Sequence, residues 1–149
     1  MRDSAPPPAA APPTQAVLWT DGAARGNPGP AGIGVMLKTP AGEVIATDAG
    51  FLGHTTNNVA EYRALLRGLE IALEHGVKEL EVRADSELLI KQLLGKYRVK
   101  AEGLRPLFEQ ARKLLARFEA VKLVHVRREH NGEADRLANQ GIDAATPRT

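Results

Sequence analysis

Three strand-like runs come first in this chain, near residues 17–21, 31–39 and 43–52, with no helix-period sequence between them. Turns rich in Gly and Pro join them, so each run returns beside the last and the three form an antiparallel meander. Helical sequence near 59–75 then leads to a strand near 79–84. Helical segments near 86–95 and 103–118 lead to another strand near 121–126, and a final helix starts near 132. A strand reached through a helix runs parallel to its neighbour. The order predicts an α/β fold: a mixed five-stranded sheet, a meander of three antiparallel strands plus two parallel strands, with helices on both faces. No internal repeat and no second domain are visible.

At 149 residues the chain amounts to about one domain, large enough to bury a core without staples. It has no cysteine, which excludes disulfides, zinc-thiolate sites and thiol nucleophiles. No apolar run reaches the roughly 18 residues that cross a bilayer, and the start lacks the basic and apolar parts of a secretory signal. No membrane association, a cytoplasmic location and a monomeric state are the expectations. Residues 1–15, MRDSAPPPAAAPPTQ, read as a Pro/Ala-rich disordered tail, 16–143 as the folded domain and 144–149 as a flexible C-terminus.

The net charge of +2 conceals an asymmetry. Residues 91–128 hold eleven Lys/Arg against three Glu, a net of +8, which leaves −6 for the rest. A solvated helix face accounts for many such runs, but a local basic excess is also the footprint of a phosphate-backbone contact.

Against that basic stretch stand four carboxylates at expected element boundaries. Asp21 ends the first strand and opens TDGAARGNPGPAGIG; Glu61 opens the first helix in TTNNVAEY; Asp85 ends the fourth strand in LEVRADS; Asp135 opens the last helix in HNGEADRLAN. Ligand sites of open α/β sheets lie beyond the carboxyl ends of parallel strands, so these boundaries could converge. Each acid also has a structural explanation. Asp-Gly is a common turn dipeptide, Asn58 with Glu61 fits a helix cap, Asp85 could cap the next helix, and Asp135 could complement a helix dipole. Glu61 resists that explanation, because helical spacing sets it above Leu65, Leu69 and Ala72 on the stripe facing the sheet. Strand parity instead puts Asp85 with Glu81 and Arg83.

Converging acids would need protons or cations, since two like charges about 4 Å apart repel by about 4 kcal/mol at an effective dielectric of about 20. Oxygen ligands without His or Cys select Mg²⁺ or Mn²⁺. Two such ions about 4 Å apart activate water and stabilise the leaving oxygen of a phosphodiester.

From Val17 to Gly141 the chain resembles type 1 ribonuclease H, on the segments TDGAARGNPGPAGIGV, TTNNVAEYRALLRGLEIAL, ADSELLI and NGEADRLAN, in that family's order. The resemblance implies the ribonuclease H-like fold, with two Mg²⁺ ions (Mn²⁺ as substitute) and hydrolysis of the RNA strand of an RNA/DNA hybrid to 5′-phosphate and 3′-hydroxyl ends. It implies that Asp21 bridges both metals, Asp135 helps hold the ion that activates water, and Glu61 and Asp85 hold the other. It further implies groove contacts by Gly22, Asn27, Asn57 and Asn58 and a DNA phosphate seated by Thr56. The 2′-hydroxyl of RNA is the feature such donors and acceptors distinguish.

Two stretches depart from the family's pattern. GKYRVKAEGLRP is brief where other members carry a long basic projection, and Lys96, Arg98 and Lys100 are its candidate substrate contacts. RREHNGEAD is short where many members carry a helper His. Arg128 could hold the scissile phosphate, Glu129 could organise a water, or His130, with an unperturbed pKa of about 6.5, could move protons. His130 beside a capping Asn131 is equally a surface histidine. A non-catalytic nucleic-acid-binding module is the alternative function; it would be expected to lack one or more of the four acids.

Overall fold

The computed structural model describes residues 14–145. Strands β1 (Gln15–Ala24), β2 (Gly29–Lys38) and β3 (Val44–Thr55) form the antiparallel meander. Strands β4 (Glu79–Ala84) and β5 (Ala120–His125) run parallel to β1, giving the sheet order β3-β2-β1-β4-β5. Helices α1 (Asn57–Glu74), α2 (Glu87–Leu93), α3 (Arg105–Leu115) and α4 (Gly132–Ala145) complete the fold. The expected mixed α/β sheet is the observed one. Of the expected terminal segments, residues 1–13 and 146–149 lie outside the described residues, Gln15 already belongs to β1, and α4 runs on to Ala145.

Alternation along the strands divides the interior into two layers. Leu18, Val35 and Leu37, all fully buried, face α1 and meet its stripe of Leu65, Leu69 and Ala72. The intervening residues of β2, Gly32 and Gly34, face α4 instead, against Ala134 and Ala138. Gly34 is obligatory there: a Cβ would fall 2.0 Å from the Ala134 carbonyl oxygen. Side-chain-free backbone lets α4 lie almost directly on β2, which fixes where its first turn ends up.

Three boundaries differ from the sequence expectation, each for a local reason. β1 does not end at Asp21. Its ladder with β4 stops at Thr20↔Ala84, but pairing with β2 continues through Asp21↔Gly34 to Ala24↔Ala31, so the Asp-Gly pair lies inside a strand rather than in a turn. α1 begins at Asn57 because Thr56 caps it, its hydroxyl accepting from Val59 N at 3.2 Å. α2 is capped by Ser86, which accepts from Leu89 N at 3.1 Å, so Asp85 is released from that role.

Candidate active site

The fork where β1 leaves β4 brings three acids together. Asp21 lies one residue past the last β1–β4 pair, Asp85 occupies the bend immediately after β4, and Glu61 projects from the second turn of α1. One carboxylate oxygen from each lies within 4.8 Å of the other two. Asp21 and Glu61 are each only 5% exposed, and Asp85 is half-buried. The capping explanations for Glu61 and Asp85 fall away, since Thr56 and Ser86 hold those positions.

Close backbone approach makes the cluster possible. α1 crosses β1 at Gly22, where a Cβ would lie 2.1 Å from the Ala60 carbonyl carbon. That contact lets Gly22 N donate to Glu61 Oε1 at 3.0 Å. Gly22, expected to face substrate, is thus buried beneath α1 and orients an acid.

Burial drives the Asp21 carboxyl up to about 9, and the charges of Glu61 and Asp85 and the side chain of Asp135 push it the same way. Burial likewise raises Glu61 to about 8, opposed by the Gly22 N–H and by the positive charge of Arg128. Two adjacent carboxyls that would hold protons at neutral pH, in a set of oxygen donors alone, form the electrostatic deficit that a hard divalent cation fills. The residues present fit Mg²⁺ or Mn²⁺.

Asp135 stands apart from the trio. It is exposed, in the first turn of α4, and close enough to Asp21 to raise its pKa through a side-chain interaction. The glycine contact of α4 with β2 puts it there, because Gly34, the partner of Asp21 across the ladder, packs against Ala134. Arg25, just past β1, braces the same helix: Nη1 donates to Asp143 Oδ1 at 2.7 Å and Nη2 to Asn139 Oδ1 at 3.0 Å.

The expected groove residues adjoin this site. Asn27 Oδ1 accepts from Asn57 N at 3.1 Å, tying the β1–β2 loop to the start of α1 and leaving Asn57 and Asn58 exposed beside it. Thr56 acts as the α1 cap. Lys96, Arg98 and Lys100 lie in the α2–α3 connection, and Arg98 and Lys100 border a groove of about 460 Å³ with Arg105 and Phe108. That connection is anchored from the site: Tyr62, beside Glu61, donates to Gln92 Oε1 at 2.6 Å, and Gln92 Nε2 donates to the Arg98 carbonyl at 3.4 Å.

Arg128, Glu129 and His130 form an exposed 3-10 turn before α4. Of the three, Arg128 acts electrostatically on Glu61, while Glu129 pairs with Arg127 at 3.9 Å. Asn131 immediately precedes α4, as expected of a cap, and its carbonyl accepts from Asp135 N at 3.1 Å, but its side chain is engaged elsewhere. The residue is 1% exposed, and its side-chain amide points into the β1–β4 fork. Sequence reasoning overlooked it because a side chain that bonds across 46 and 111 residues leaves no periodic signal. Among the described residues no helix is long and apolar enough to cross a membrane.

A five-stranded mixed sheet ordered β3-β2-β1-β4-β5 with four helices matches the ribonuclease H fold. A family model described as reverse transcriptase-like matches residues 19–141. The ribonuclease H1 structure from the halophilic archaeon Halobacterium salinarum superimposes with a TM-score of 0.86 at 41% identity, covering 88% of this chain and 99% of that one. LC11 ribonuclease H1, solved in complex with an RNA/DNA hybrid, gives 0.84 at 43% identity, covering 87% and 98%. A bifunctional protein of Mycobacterium tuberculosis is 43% identical over 130 residues, 87% of this chain but 36% of its own length. The chain thus spans about a third of that relative. It belongs to the type 1 ribonuclease H family.

Proposed function

We propose that this protein is an endoribonuclease that hydrolyses the RNA strand of RNA/DNA hybrids, using two divalent metal ions and leaving 5′-phosphate and 3′-hydroxyl ends. The observation that carries the reading is the Asp21–Glu61–Asp85 cluster, two of its acids buried, with one oxygen from each within 4.8 Å of the others and two carboxyls raised to about 9 and about 8. The relative solved with an RNA/DNA hybrid supports the substrate class.

Asp21, Glu61 and Asp85 would hold Mg²⁺, with Asp135 completing the set from α4. When bound, a pair of such ions supplies Lewis-acid chemistry, making water nucleophilic and stabilising the oxygen that leaves. The chain's own residues do the rest. The Gly22 N–H holds Glu61 in place. Arg128, a fixed charge already felt at Glu61, attracts the scissile phosphate. Asn27, Asn57 and Asn58 meet the minor groove of the hybrid, where the 2′-hydroxyl marks the RNA strand. Lys96, Arg98 and Lys100 contact the phosphate backbone farther along, and this attraction weakens as salt rises.

The test incubates end-labelled RNA/DNA, RNA/RNA and DNA/DNA duplexes with Mg²⁺, with Mn²⁺ or with a chelator. RNA-strand cleavage of the hybrid, only with metal, is the expected result. Equal cleavage of DNA/DNA or activity in chelator refutes the reading, and binding without cleavage makes the chain a nucleic-acid-binding module.

A further inference from the structure

Asn131 has no role in the chemistry described so far, yet it sits at the centre of the acid cluster's frame. Its Nδ2 donates to the Thr20 carbonyl at 2.9 Å and to Asp85 Oδ2 at 3.0 Å. Its own carbonyl accepts from Asp135 N at 3.1 Å. One residue therefore touches Asp85 directly, the backbone beside Asp21, and the turn that carries Asp135.

The position of these bonds explains the residue type. Thr20↔Ala84 is the last rung between β1 and β4, and beyond it the two strands diverge. At such a fork a main-chain carbonyl loses its neighbour, and a buried carbonyl requires a donor. A side-chain amide has two N–H groups on one nitrogen, so it can serve the carbonyl with one and a carboxylate with the other. Asp, the isostere, has no donor when ionised, and Ser offers a single donor on a shorter stem.

Asn131 Oδ1, by contrast, is buried without a hydrogen-bond partner. That unpaired acceptor costs stability, whereas the two donated bonds hold the Thr20 carbonyl and the Asp85 carboxylate to one nitrogen. We propose that Asn131 is a positioning residue: by holding one oxygen of Asp85 against the β1 carbonyl at the strand fork, it sets the orientation in which Asp85 meets a divalent cation. The proposal rests on the metal-dependent reading of the site and deepens it. Fixed outer partners of carboxylate ligands are known to change metal affinity by about 10–100-fold when removed.

The test is a calorimetric titration of the whole chain with Mn²⁺, alongside kcat and KM on an RNA/DNA hybrid. It compares the wild type with Asn131→Ala, Asn131→Leu, Asp85→Asn and the Asn131→Ala/Asp85→Asn pair. Asn131→Leu keeps the branched side-chain skeleton while removing donor and orphaned acceptor together, so it reads the donor's role should the Ala variant be poorly folded. Both Asn131 variants should weaken Mn²⁺ binding by about tenfold or more and lower kcat, with KM within about threefold. The double variant should bind Mn²⁺ within about twofold of Asp85→Asn alone, because Asn131 acts through Asp85. Wild-type Mn²⁺ affinity in both Asn131 variants, whatever their melting temperatures, overturns the proposal, as do additive losses in the double variant or a wild type that binds no Mn²⁺. A wild type that binds Mn²⁺ but leaves the hybrid intact refutes the nuclease reading alone, and the calorimetry still decides the role of Asn131.

Discussion

Asp21→Asn should disable the enzyme and strengthen the metal-free fold at once. In the folded chain the carboxyl is held near 9, against 3.8 for a free side chain. Between those values the folded state keeps a proton that the unfolded state has released, so this group's contribution is fully present below about pH 4 and declines as pH rises towards 9. At about 1.4 kcal/mol per pKa unit, the upper limit of the loss at pH 7 is about 4 kcal/mol. Water reaching the mouth of the site and sharing of protons with Glu61 reduce the expected gain from a neutral amide to about 1–3 kcal/mol. For a domain of this size that is a rise in melting temperature of about 3–10 °C. The assay is thermal unfolding in chelator at pH 5, 7 and 8, with the gain smallest at pH 5. Saturating Mg²⁺ should lift the wild type by about 3 kcal/mol at 100 times Kd and the variant far less. Turnover of the hybrid should fall at least about a thousandfold. A variant no more stable than wild type at pH 8, or a gain that does not grow with pH, refutes the electrostatic account of the cluster.

Asp135→Asn should cost at least about a thousandfold in turnover, whereas His130→Ala should cost at most about tenfold; assays from pH 6 to 9 at saturating Mg²⁺ check both. In the same series, Arg128→Ala should reduce turnover more than Glu129→Ala, because only Arg128 acts on Glu61. Gly34→Ala should destabilise by about 1–3 kcal/mol or more and depress activity, since its methyl meets the Ala134 carbonyl; wild-type melting and turnover would show that α4 can retreat freely. Removing residues 1–13 should change neither activity nor melting temperature. Extending the cut through Gln15 should lower the melting temperature, as the Thr14 carbonyl accepts from Lys78 N at 2.8 Å and Glu79 N at 2.9 Å.

Periodicity carried most of the architecture. Leu65, Leu69 and Ala72 marked the buried face of α1, and the same stripe exposed the anomaly of Glu61, an acid where an apolar residue belongs. Strand direction followed from which strands were joined by turns and which by helices. Side-chain direction at strand ends was less legible. Parity put Asp85 with Glu81 and Arg83, but the bend after Ala84 turns it into the cluster instead. Asp-Gly read as a turn because dipeptide statistics do not register that β2 continues to pair through Gly34. Asn131 was invisible as a partner of Thr20 and Asp85 because both bonds are made only after three elements have docked.

The β1–β4 fork also bears on how the chain matures. Glu61, Asp85 and Asp135 lie 40, 64 and 114 residues after Asp21, and no two of the four share a helix or strand. Contacts of such long range form late, after the cost of closing the intervening loops has been met. A chain still emerging from the ribosome, with β1 to β3 and α1 already collapsed, holds Asp21 and Glu61 but lacks Asp85, Asn131 and α4. Such an intermediate has neither the charge nor the frame to capture a divalent ion tightly. Tight capture of a metal ion is thereby withheld until the last helix has settled on its glycine bed.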